Sequence, residues 1–168
     1  GLVGSEMCIR DSYHNTRTFL NKYRDISWIL EVSALNLQKE FKATYELFTD
    51  SPLVAGEVKD GGNPPENYTY ALVRSKKMMQ LTDTAIDLMR RKHKKGEFYY
   101  WILYYAYLSP QQCENAGAIL QSLETKGISI SLRTYYVHRD EAIEVLSSIL
   151  WGYTSQDCEK ITKLLTLD

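Results

Sequence analysis

The sequence predicts an all-α protein: a long antiparallel helix pair followed by a compact C-terminal bundle of shorter helices. Three observations predict it. Apolar residues recur every three or four positions along most of the chain, which is the spacing of a helix face and not the alternation of a strand. Three of the 4 prolines fall in one stretch, "TDSPLVAGEVKDGGNPPENYT", which separates two long periodic segments. Beyond Gly96 the periodic segments become short and carry start and stop residues.

The chain opens with "GLVGSEMCIRDS". It lacks the apolar core of a secretory signal, because Gly4, Ser5 and Glu6 follow Leu2 and Val3 at once. From Leu2 to Ser12 it resembles a transposase-type library adapter read in one frame. Residues 1–12 are therefore expected to be an adapter-derived scar that packs poorly, with the true N-terminus missing upstream of Tyr13. Without them one basic and two acidic residues leave the totals of 20 and 21, and the balance is 19 against 19. A neutral chain is not a globally basic nucleic-acid binder, although a local basic face remains open. Cys113 and Cys158 then stand alone, with neither a disulfide framework nor metal-ligand spacing. A reducing bacterial cytoplasm is the expected location. The longest apolar run, Phe98–Leu108, is too short to span a membrane and includes five tyrosines.

The first long helix is expected from about Thr16 to Phe48. Phe19, Tyr23, Ile26, Leu30, Leu37, Phe41, Tyr45 and Phe48 form its apolar face. Residues 49–68 read as a loop or linker. A second long helix follows from about Tyr70 to Lys94, with Ala71, Met78, Leu81, Ala85, Leu88 and Met89 inward. Packing of the first helix against the second gives the antiparallel pair. The second ends in "RRKHKK", so Arg90, Arg91, Lys92, Lys94 and Lys95 form a basic patch ahead of a capping Gly96. That patch suits either phosphates or the negative end of the helix dipole. Residues 13–95 thus form one region and 96–168 another.

In the second region "EFYYWILYYAYL" makes an aromatic helix. Ser109, Pro110 and Gln112 then supply a start for a helix from Pro110 to about Glu124, burying Cys113, Ala116, Ile119, Leu120 and Leu123. Gly127 stops it. Ser131 caps the next helix, 131–150, whose inward face is Tyr135, His138 or Arg139, Ala142, Leu146 and Ile149. Leu132, Arg133, Tyr136, Val137 and Asp140 lie on the other side. A supporting helix, a glycine turn and a second helix with an outward N-terminal face make a helix-turn-helix. "WGYTSQDCEKITKLL" adds a short final helix.

The chemistry of that outward face suits DNA. Arg133 reaches a guanine edge in such a setting, and Ser131 leaves backbone N–H groups at the helix start for a phosphate. Thr134 and Tyr136 contact phosphates or a thymine methyl, Val137 adds apolar contact, and Lys126 and Arg139 neutralise flanking phosphates.

"ISLRTYYVHRDEAIEVLSSILWGYTS" resembles the C-terminal recognition helix of ArpU-type phage late-gene transcription regulators, whose C-terminal part is sigma-factor-like. The shared core is Ser131, Thr134, Tyr135, Tyr136, Arg139, Glu141, Ala142 and Ile143. Motif agreement covers about 128–152, and the order of helices agrees over most of 16–151. Here the turn "ETKGISIS" is longer, and Gly117 stands inside the supporting helix. The resemblance implies sequence-specific binding of double-stranded DNA and transcription regulation in a phage or prophage. RNA polymerase is a further expected partner, and so is a second copy of the chain, because helix-turn-helix proteins often bind as dimers. No phosphate loop, zinc motif or Ser/His/Asp arrangement stands out, so an enzyme is not expected, nor a metal or cofactor. The competing expectation is a helical protein-interaction or phage assembly factor.

Overall fold

The computed structural model describes residues 9–49, 66–152 and 163–166, and every element among them is helical. The elements are α1 (Ile9–Asn21), α2 (Tyr23–Ala34), α3 (Leu37–Phe48), α4 (Glu66–Lys92), α5 (Gly96–Leu103) continuing as a π-helical segment (Tyr104–Leu108), α6 (Ala116–Glu124) and α7 (Leu132–Trp151). Among the described residues no helix is long and apolar enough to cross a membrane. The chain divides into two compact units, Gly1–Arg24 with Gln80–Asp168, and Asp25–Met79.

The first unit is built around α7, which packs against α1, α5 and α6. Its main core joins Leu20, Ile86, Met89, Leu103, Ile143 and Leu146. Burial of each such side chain stabilises the fold by roughly 1.5–3 kcal/mol. A smaller core of Ile102, Leu123 and Tyr135 seats α6 and the turn after it. Polar bonds add register. The Tyr13 hydroxyl donates to Asp140 Oδ1 at 3.0 Å, and Trp151 Nε1 donates to Thr16 Oγ1 at 3.0 Å.

The expected first helix is three helices. At the first break Lys22 N donates to Phe19 O, a tight three-residue turn. Just beyond it the Arg24 guanidinium reaches the end of the π-helical segment. Its Nε donates to Ser109 O at 2.7 Å, and its terminal nitrogens to Tyr105 O at 3.3 Å and Ala106 O at 3.4 Å. The guanidinium thereby supplies donors to carbonyls where that segment ends. The second break is Asn36, in the left-handed region at φ 52°. Asparagine tolerates that conformation better than most residues. In the second unit Leu37, Phe41, Tyr45 and Phe48, expected to face inward, are exposed, and neither α2 nor α3 holds a fully buried residue.

Other boundaries moved as well. α1 begins at Ile9, and Ser12, expected to pack poorly, is buried inside it, where its carbonyl accepts from Thr16 Oγ1 at 2.8 Å. Residues 1–8 of that stretch lie outside the described residues. So do 50–65 of the expected loop, most of the expected final helix, Cys8 and Cys158. α4 turns a different stripe inward: Met79, Thr82, Ala85, Ile86 and Met89 are buried, while Met78, Leu81 and Leu88 are exposed. The two stripes overlap in sequence, and only the packed neighbours decide between them.

Gly96 is the first residue of α5, not a cap for α4. The chain turns so tightly there that a Cβ would lie 2.3 Å from Met89 O and 2.4 Å from Arg90 O, so only glycine fits. α6 starts at Ala116 and not at Pro110, because the Ser109 hydroxyl donates to Gln111 O while Asn115 Oδ1 accepts from Ala118 N at 2.9 Å. Ala116, Ile119 and Leu120 are half-buried in consequence, and of the expected inward set only Leu123 is fully enclosed.

Candidate nucleic-acid interface

Two local signals position the start of α7. Gly127, at φ 78°, ends α6, and the paired bonds Gly127 N to Glu124 O and Ile128 N to Leu123 O close that end. Ile128 and Ile130 then pack on the smaller core, which fixes the turn. Ser131 starts α7: its Oγ accepts from Thr134 N at 3.2 Å and donates to Thr134 Oγ1 at 2.9 Å. The inward face is Tyr135, Ala142 and Leu146, as expected, joined by Ile143 and Ser147.

On the outward face Leu132, Arg133, Tyr136 and Val137 are exposed within the first two turns. Arg133 makes no hydrogen bond or ion pair among the described residues. Four exposed side chains, the half-buried Thr134 and a capped N-terminus thus share one end of α7. Lys126 lies in the preceding turn, where its ammonium sits 4.2 Å from the Trp101 ring centroid.

Arg139 is more enclosed than these. Only 17% of its side chain is exposed, and its guanidinium donates to Asp140 Oδ1 at 3.0 and 3.2 Å. The guanidinium also lies 5.0 Å from the centroid of the Tyr136 ring. His138 is also committed. Its Nδ1 lies 2.9 Å from Glu141 Oε2, and its ring meets Phe98 edge-on. Glu141 also accepts from the Tyr99 hydroxyl at 2.8 Å. The bonds from His138 and then Tyr99 hold the Glu141 carboxyl below its usual range. Burial, then the bond to Glu141, pushes the Tyr99 phenol up to about 12. This cluster ties α5 to α7 and leaves the outward face untouched.

The basic patch divides. Arg90 is bidentate to Glu97 at 2.8 Å in both bonds and lies 3.9 Å over Tyr100. Arg91 pairs with Asp87 at 2.8 Å. Lys92, Lys94 and Lys95 are exposed. Trp101 links this patch to the turn, because Arg90 lies 5.3 Å and Lys126 4.2 Å from its ring. In the sequence Trp101 reads only as part of an aromatic helix. The available signal was Glu97 one turn earlier, whose carboxylate accepts from Trp101 Nε1 at 3.1 Å. No family model, no curated protein and no solved structure matches the chain.

Proposed function

We propose that this protein is a sequence-specific DNA-binding transcription regulator of phage or prophage type, reading the major groove with the helix 131–150. The observation that carries the reading is the outward N-terminal face of α7, with Arg133 unengaged beside Tyr136 and Val137. Arg133 reads a guanine, and the capped helix start receives a phosphate. Lys126 and the exposed lysines 92, 94 and 95 supply sequence-independent attraction, which the balanced net charge leaves to local patches. RNA polymerase is the further partner on this reading. No catalytic role is assigned.

Gel-shift titration against a pool of random duplexes, repeated over a salt series, tests it. Selective binding with a negative salt slope is expected, and Arg133→Ala should weaken the selected site about 10- to 100-fold. Equal binding by the Arg133→Ala protein removes the recognition-helix assignment. The exposed aromatic side chains of α3 favour a second reading, a helical interaction or phage assembly factor without DNA. Absence of any selected duplex would leave that one standing.

A further inference from the structure

α3 carries a surface that its own unit does not use. Leu37, Phe41, Thr44, Tyr45 and Phe48 fall within an arc of about 100° of the helix. Leu37 is 53%, Phe41 73%, Tyr45 37% and Phe48 85% exposed, and the Phe41 and Tyr45 rings stack at 6.2 Å. At about 200 Å² for a large side chain, the stripe shows roughly 500 Å² to solvent. That is near the upper end of what a typical monomer exposes in one patch.

We propose that this stripe is the contact between two copies of the chain, paired antiparallel through α3. The stripe is complementary to itself. Reversal about its midpoint lays Phe48 against Leu37 and Phe41 against Thr44, so each phenylalanine ring meets a smaller side chain, while Tyr45 falls opposite Glu40. Alternation of large and small side chains is how facing helices interdigitate. Charge agrees: the charged residues of α3 are Lys39 and Lys42 against Glu40 and Glu46, so two copies meet without net repulsion. Area agrees as well. Fully covered, two such stripes hide about 1,000 Å², the lower bound for a specific interface. The inference does not depend on DNA, since association is measured without it.

Sedimentation velocity of the full chain, from low to high micromolar concentration, tests the pairing. The wild-type chain should dimerise. Phe41→Glu with Phe48→Glu should raise the dissociation constant roughly 100-fold or more, as loss of hot-spot aromatics does. Far-UV circular dichroism of that variant should be unchanged. Thr44→Cys mixed with Phe41→Cys, both in a chain with Cys8, Cys113 and Cys158 replaced by serine, should form a disulfide-linked dimer that reductant reverses. This second measurement decides the matter even if the double glutamate chain fails to fold. A wild-type chain that stays monomeric, a dimer that survives the double substitution, or no cross-link between the two cysteine variants overturns the proposal.

Discussion

α7 and α3 are both amphipathic helices, yet they meet opposite fates. α7 is enclosed by α1, α5 and α6, and Ala142, Ile143 and Leu146 reach zero exposure. α3 carries two phenylalanines and a tyrosine and encloses none of them. An apolar stripe is therefore a request for a partner and does not say where the partner comes from. α7 finds it in the same unit. For α3 the proposed partner is another copy.

Ways to break this contrast run from large effects to small. The largest is alkaline. Burial first, and then its hydrogen-bonded carboxylate partner, pushes the phenols of Tyr13 and Tyr99 up to about 12. Burial does the same at Tyr135, again to about 12. All three lie in the first unit. An unfolded phenol ionises near pH ~10, so between there and about 12 the unfolded chain binds fewer protons than the folded one. The stability these tyrosines contribute is intact below pH ~10 and is lost as the pH rises through the folded values. Urea unfolding over a pH series, read alongside phenolate absorbance, should show the loss and the ionisation arriving together. Ionisation well ahead of unfolding would break the assignment.

Next is Leu146→Ala, which opens a cavity in the main core. It should cost about 2–5 kcal/mol in urea titrations. Ser131→Ala should cost about 1 kcal/mol, because the cap bond to Thr134 N is lost. Hydrogen exchange at the first turn of α7 should quicken while the middle of the helix holds. Smallest is Leu47→Ala in α3. Leu47 is 79% exposed and lies off the stripe. Its melting temperature and dimer affinity should both stay near wild type, within about 0.5 kcal/mol. A large effect there would mean that the second unit buries what the contrast leaves outside.

Much of the first unit was legible in the sequence. The inward face of α7, its serine cap and the Gly127 stop were all readable, because the bonds that make them span no more than five residues. The candidate site was legible in part. Arg133, Tyr136 and Val137 face outward as expected, and Arg139, one turn on, is more enclosed, where the sequence left the inward place open between it and His138. Periodicity alone placed it at the boundary between faces. The Asp140 carboxylate beside it, with Tyr107 and Tyr135 nearby, drew it in.

The sequence by itself determined that the chain is helical, where α7 starts and which of its faces is inward. Caps, glycines and a 3.6-residue period act through neighbours along the chain, so local chemistry suffices. Tertiary structure alone decided that the first long periodic segment breaks twice, which of two overlapping stripes α4 buries, and that the stripe of α3 stays open. Each of those choices depends on groups far apart in sequence. Arg24 at the π-helical carbonyls, some eighty residues on, is the clearest case.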